Sequence, residues 1–330
     1  MCTGIRFSGE NGGMYFGRNL DWSTSYGERI VVTPRGYQRN WAFDQAKDPG
    51  NKQPKGGAVI GMGIIAQNTP LYFDCANEAG LAVAGLNFPG FAQYEEQPVA
   101  GKTNVAAYEF PLWVASNFTS VDEAEAALAN TAIVGKPLSK NLPVSMLHWL
   151  IADGSRSIVV EHTPEGMQVF HDNADVLANQ PDFAWHCENL RNYISVTNEF
   201  PQPAQWGAAQ LSAYGSGSGM RGLPGDYYSP SRFVRAAYLN AHYPAQSGET
   251  PNVLRLFHTL SGVNMIDGAA RMADGAFEKT LYTSGYSAAA RTYYLRRYED
   301  PAIQCVRLND CELNGEELLT PSPQIWGPGN

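Results

Sequence analysis

Short apolar runs, each ended by Gly, Pro, Asn or Asp, set the rhythm of the first third of the chain. Met14–Leu20 (MYFGRNL), Arg29–Thr33 (RIVVT), Ala58–Ala66 (AVIGMGIIA), Leu71–Cys75 (LYFDC) and Leu81–Phe88 (LAVAGLNF) each read as a strand. Helical character begins near Val105. Ser120 stands three residues before Glu123, a capping-box pattern that opens the helix VDEAEAALAN. Strands return at His148–Ala152, Ser157–His162 and Met167–His171. Residues 201–230 are rich in Gly, Pro, Ser and Tyr and read as long loops. Ser231–His242 and Asn252–Leu260 space their apolar residues by three and four, which predicts two helices. Thr280–Tyr286 and Thr292–Tyr298 read as strands, and the last stretch of about twenty residues as an extended arm.

The order is therefore strands, helices, strands, helices, strands. Strict βαβ alternation is missing, which disfavours a doubly wound parallel sheet. An α+β fold fits better, with two antiparallel sheets packed face to face and helices outside. No internal repeat or clean linker interrupts residues 2–330, so a single domain is expected.

Composition narrows the functional classes. The chain has 330 residues, 44% hydrophobic and 17% charged, as in an ordinary globular protein with a large core. Its net charge of −9 argues against nucleic acid or an anionic membrane as partner. A small anionic substrate stays open, because a few local arginines suffice to bind one. The five cysteines form neither a C-x-x-C nor a disulfide framework. The six histidines show no metal-ligand spacing, so neither a metal nor a cofactor is expected. The N-terminus lacks a basic segment followed by an apolar one, and no run approaches ~18 apolar residues. A cytoplasmic protein with reduced thiols is expected. Gly217-Ser-Gly219-Met-Arg-Gly222 matches a dinucleotide fingerprint, but Leu223-Pro224-Gly225 after it cannot open the required helix.

Cys2 carries the chemistry. Loss of Met1 leaves it with a thiol and a free α-amine. The thiolate is the nucleophilic form, and an α-amine with an ordinary pKa of ~7.7–8.0 can take and return protons near neutrality. One residue then supplies nucleophile and base. Arg18 and Asp21 follow in Gly17-Arg18-Asn19-Leu20-Asp21-Trp22. On a strand they point to opposite faces, and both reach one site only if the strand ends or bends near Asp21. Arg18 supplies positive charge that favours a thiolate, and Asp21 orients the amine.

Met1-Cys2-Thr3-Gly4, GRNLDW, YFDCANEAGLAVAGLNFPG, LANQPDF and SPSRFVR occur in that order. Together they resemble the choloylglycine hydrolase family, most of all its bifidobacterial-type conjugated bile salt hydrolases, from Cys2 to about Tyr298. The resemblance implies the N-terminal-nucleophile αββα sandwich with Cys2 as nucleophile. It implies supporting roles for Arg18 and Asp21, and picks out Asn87 in LNFPG, Asn179 in LANQP and Arg232 in SPSRFVR. Asn87 can offer its amide to a tetrahedral oxyanion. Asn179 can do the same or hold Cys2 in place, and Arg232 can steady Asp21 or the surroundings of Cys2.

The implied reaction is cleavage of an N-acyl amino acid through a thioester on Cys2. For a conjugated bile salt the acid is a steroid carboxylate and the amine is glycine or taurine. A steroid requires a broad apolar pocket. Leu20, Trp22, Tyr26 and Ile65 are the expected lining, with Phe91 and Tyr94 as further aromatics in loops. Penicillin V acylase is the alternative within the family. That branch often has an aromatic residue where this chain has Asn87, which favours bile salts. A non-catalytic binder with an inert Cys2 is the reading from a different class. The resemblance also implies a homotetramer with an exchanged hairpin, for which residues 201–230 are the candidate contact.

Overall fold

The computed structural model describes residues 1–43 and 54–327. Strands β1 (Cys2–Ser8), β2 (Met14–Trp22), β3 (Arg29–Thr33), β4 (Val59–Ala66), β5 (Thr69–Asn77) and β6 (Ala82–Asn87) open the chain. Strand β7 (Thr103–Ala106) precedes helices α1 (Phe110–Asn117) and α2 (Val121–Leu128). Strands β8 (Thr131–Val134), β9 (Leu147–Ala152), β10 (Ser157–Thr163), β11 (Gly166–His171) and β12 (Val176–Leu177) lead to helix α3 (Phe183–Leu190). The hairpin β13 (Ala204–Trp206) and β14 (Ala209–Leu211) is followed by α4 (Ser229–His242) and α5 (Glu249–Ser261). Strands β15 (Ala270–Arg271), β16 (Phe277–Ser287), β17 (Thr292–Arg297), β18 (Gln304–Arg307) and β19 (Gln324–Ile325) complete it.

Two antiparallel sheets carry the fold. One runs β12-β1-β2-β16-β17-β18-β19, with β15 attached to β16, and the other β11-β10-β9-β6-β5-β4-β3. Side chains alternate between faces along a strand, and here both faces are apolar because both are covered. Ile30, Val32, Ile60, Met62, Ala84 and Leu86 join Phe16 and Leu20 in the core between the sheets. Their neighbours Val31, Val59, Leu81 and Val83 face Phe110, Trp113 and Val114 of α1 in a second core. Helices α4 and α5 lie on the outer face of the first sheet, against β1, β12, β2 and β16. The layers are helix, sheet, sheet, helix, as expected. Uninterrupted runs such as RIVVT reflect this double burial.

The predicted strands match within a few residues, and Ser120 caps α2 by accepting from the Glu123 amide at 3.3 Å. The helix expected from Val105 starts later. Val105 lies on β7, which pairs in parallel with β8, and α1 begins at Phe110 with Pro111 in its first turn. Glu109 fixes that boundary by accepting from the Ala106 amide at 2.9 Å. The loop expected over 201–230 contains the β13–β14 hairpin, turned at Gly207 with φ of 60°. The terminal arm returns to the body, pairing β19 with β18 and Leu319 with Val32; residues 328–330 lie outside the described residues. Among the described residues no helix is long and apolar enough to cross a membrane.

Gly17 lets α5 approach β2. A Cβ built there would stand 2.5 Å from the Ser284 carbonyl oxygen and 2.9 Å from a methyl of Leu256. Gly17→Ala should therefore destabilise the fold by about 1–3 kcal/mol through overpacking, read as a lower urea midpoint at unchanged slope. An unchanged midpoint would show that α5 is free to shift.

Candidate active site

Cys2 opens β1 opposite Leu20, so Cys2, Gly4, Leu20 and Arg18 share the face turned toward the second sheet. The thiol is 2% exposed, and Arg18 Nη2 donates to its Sγ at 2.6 Å. The rest of the Arg18 fork is spent on main-chain oxygens. Nε donates to Asn19 O at 3.1 Å, and Nη1 to Phe73 O at 3.1 Å and Gly85 O at 3.2 Å. Burial works against the charge on this guanidinium. Electrostatic interaction with the acidic groups around it, Cys2 first and then Tyr282, Asp74 and Asp21, outweighs that and holds its pKa above the ordinary value.

The opposite face of the same strands carries a second buried guanidinium. Arg232 of α4 donates from Nη1 to Cys2 O at 2.5 Å and to Thr3 Oγ1 at 2.6 Å, and from Nη2 to Asn179 Oδ1 at 2.7 Å. Here burial prevails and lowers the arginine's proton affinity. Asp21 shares this face, as its odd spacing from Arg18 requires. Its Oδ1 accepts from Thr280 Oγ1 at 2.6 Å, beside the bulge in β16 between Thr280 and Tyr282. Its Oδ2 lies 3.8 Å from Arg232 Nη1 and has no hydrogen-bond partner among the described residues. Asp21 thus reaches the end of β1 from the helix side while Arg18 reaches it from between the sheets.

Asn179 joins the parts. Its Oδ1 accepts from Cys2 N at 2.7 Å, and its Nδ2 donates to Asn87 O at 2.7 Å. Asn179 thus bonds the Cys2 main chain directly. Ser229 Oγ and His186 Nε2 bond its main chain at 2.9 and 2.8 Å. Burial lowers the His186 pKa to about 4, so that ring is neutral at neutral pH and donates through Nε2. Asn87 ends β6 and lines the cleft beside Cys2. Met1 extends the ladder: its carbonyl accepts from Asp21 N at 2.8 Å, and its ammonium pairs with the buried Glu278.

Above Cys2 opens a cleft of about 910 Å³, counting its mouth. Leu20, Trp22 and Tyr26 line it as expected; Trp22 stacks with Tyr26 at 6.3 Å, and Tyr26 tilts against Phe73 at 5.5 Å. Ile65 does not line it. Alternation along β4 turns Ile64 into the cleft and packs Ile65 against the outer core. Phe91 and Tyr94 are not in the wall either. Phe91 stacks on Phe88 at 5.2 Å, while the Tyr94 hydroxyl donates to the Ser145 and Leu147 carbonyls and so pins a wall segment. Much of the remaining wall comes from Leu71, Tyr72, Phe73, Tyr108, Leu138 and Leu142, none of them singled out in the sequence as lining. Leu71 and Phe73 alternate on β5 and were findable by their period of two. Leu138 and Leu142 sit in a connection with no pattern to mark them.

The profile of linear amide C–N hydrolases, choloylglycine hydrolase family, matches residues 2–321. The chain is 57% identical over 320 residues to a bile salt hydrolase/transferase of Bifidobacterium longum subsp. longum, covering 97% of this chain and 99% of that one. It is 43% identical over 321 residues to a conjugated bile acid hydrolase of Lactobacillus gasseri, covering 97% and 100%. The structure superposes on a C2A mutant of conjugated bile acid hydrolase from Clostridium perfringens with a TM-score of 0.89 at 36% identity, over 100% of both chains. Penicillin V acylase from Agrobacterium tumefaciens shares the fold, with a TM-score of 0.74 at 20% identity over 96% and 90%. A thiol seated on a guanidinium at the start of the first strand, within this fold and at these identities, means that the chain belongs to the choloylglycine hydrolase family of linear amide C–N hydrolases.

Proposed function

We propose that the protein hydrolyses the amide bond of glycine- or taurine-conjugated bile salts, with Cys2 as nucleophile once Met1 is removed. The observation that carries this reading is the Arg18–Cys2 contact of 2.6 Å at the floor of a cleft walled by Leu20, Trp22 and Phe73. The positive fork favours a thiolate at that sulfur. Removal of Met1 turns the Cys2 peptide nitrogen into an amine that starts 2.7 Å from Asn179 Oδ1, with the unpaired Oδ2 of Asp21 to receive an added N–H.

The thiolate attacks the amide carbonyl carbon. Asn87 offers its side-chain N–H₂ to the oxyanion, helped by a backbone N–H. Collapse breaks the C–N bond, and the α-ammonium gives the leaving amine its proton. A thioester on Cys2 remains. Water, deprotonated by the same α-amine, attacks it and releases the bile acid as the thiol re-forms. Arg232 and Asn179 hold the Cys2 main chain still throughout, from the side away from the substrate. The apolar walls take the steroid, as the names of the bifidobacterial and Lactobacillus relatives suggest for their own substrates. All five cysteines are free thiols, and a cytoplasmic setting keeps the nucleophile reduced.

The same reading includes a homotetramer. All six residues of β13 and β14 are exposed, Trp206 at 76%, and Phe200 and Tyr214 beside them are exposed too. An apolar arm of this kind suits burial against another copy of the chain.

Three outcomes test these statements. The processed enzyme should release amine faster from glycocholate or taurocholate than from penicillin V, and Cys2→Ser should lose most of that turnover; the reverse preference would move it to the acylase branch. Asn87→Ala should lower kcat by ~10²–10³, whereas a loss below about threefold would make Asn87 structural. Light scattering should give four chains for the native protein and fewer for Trp206→Asp. A native monomer would end the tetramer reading.

A further inference from the structure

Among the described residues, Asp74 is the only carboxylate within 4.0 Å of the Arg18 guanidinium. It lies on β5, in the sheet opposite the one that carries Arg18, and its side chain spans the space between the sheets. Oδ1 accepts from Ser284 Oγ at 3.1 Å and from the Tyr293 hydroxyl. Oδ2 accepts from the Tyr282 hydroxyl at 3.0 Å and lies 4.0 Å from Arg18 Nη1. Asp74, Tyr282, Ser284 and Tyr293 are all buried. Asp74 does not line the cleft.

Three hydroxyl donors and one guanidinium converge on this carboxylate, an arrangement that suits a charge. A buried arginine does not give up its proton, so its charge needs an anion inside the fold. Asp74, the carboxylate nearest the guanidinium, is placed to be that anion while Cys2 is a neutral thiol. When Cys2 ionises, two anions share one cation. Burial pushes the Asp74 carboxyl above its ordinary value, and Arg18 with the three hydroxyls opposes that push without cancelling it.

We propose that Asp74 is a positioning residue for the Cys2 chemistry, holding Arg18 from the side away from the sulfur and competing with the thiolate for the guanidinium's charge. The inference rests on the reading of Cys2 as nucleophile. Asp74 touches neither the sulfur nor the substrate and acts through Arg18. The groups facing Cys2 are Arg18 and Tyr282 between the sheets, Tyr26 at the rim, and Arg232 on the helix side with Asp21 and Glu278 around it. Tyr293 faces Asp74 from β17 of the first sheet, and Cys75 adjoins it on β5 with its thiol toward α1. Asp74→Asn keeps all of these and removes one charge.

The test follows alkylation of Cys2 by iodoacetamide against pH in the processed enzyme, read from the mass of the peptide that carries Cys2, beside the pH profile of bile salt turnover. In Asp74→Asn both acid limbs should move to lower pH by about one unit, because the thiolate no longer shares Arg18. Limbs that stay in place, whatever the stability or amplitude, or limbs that move upward, overturn the proposal. If Asp74→Asn does not fold, Tyr293→Phe serves. It removes one donor that steadies the ionised carboxyl, and should move both limbs the same way by a smaller step; fixed limbs there overturn the proposal equally. If Cys2→Ser keeps full turnover, the nucleophile reading fails by itself, and the alkylation limb still decides Asp74.

Discussion

The position of Cys2 depends on two buried guanidinium groups that approach one strand from opposite faces. Arg18 grips the sulfur from between the sheets, and Arg232 grips the carbonyl from under α4. Neither arginine is exposed. Burying such charges costs several kcal/mol each unless every donor is matched. The fold meets that cost with main-chain oxygens of Asn19, Phe73, Gly85, Cys2 and Tyr227, which come from both sheets and from the segment before α4. The architecture can be read as the scaffold that brings these oxygens together.

This constraint sets the floor of the cleft apart from its walls. The floor is held by charge-assisted bonds inside a packed core, where a displaced donor leaves a buried group unsatisfied. The walls are mostly apolar contacts from strand ends and separate loops, steadied at a few polar pins. Glu28 is one, accepting from Ser25, the Tyr26 amide and Arg297, and Tyr94 is another. A family built this way can vary its walls without disturbing the reacting atoms, in keeping with one fold serving a bile acid hydrolase and a penicillin V acylase.

Legibility in the sequence followed the same division. Cys2, Arg18, Asp21, Asn87, Asn179 and Arg232 lie in short, ordered motifs, and the structure brings all six to the end of β1 and the floor of the cleft. The wall was legible only where it continued such a motif, at Leu20, Trp22 and Tyr26. Ile65 failed by one residue, because an apolar run buried on both faces hides which face each residue takes. Asp74 was concealed for a related reason. In LYFDC it resembles the polar end of a strand, and only the opposing sheet shows that three hydroxyls meet it.

By itself the sequence determined the layer architecture and the order of the elements and pointed to Cys2 as the candidate nucleophile, since these rest on residue type, local spacing and alternation of faces. Tertiary structure alone decided which side of Cys2 each arginine takes, how Asn179 bridges Cys2 to Asn87, and which loops close over the cleft. Several of those relations join residues more than ninety positions apart, such as Asn179 with Asn87 and Arg232 with Cys2. No local pattern records a contact between segments that become neighbours only when two sheets twist and pack together.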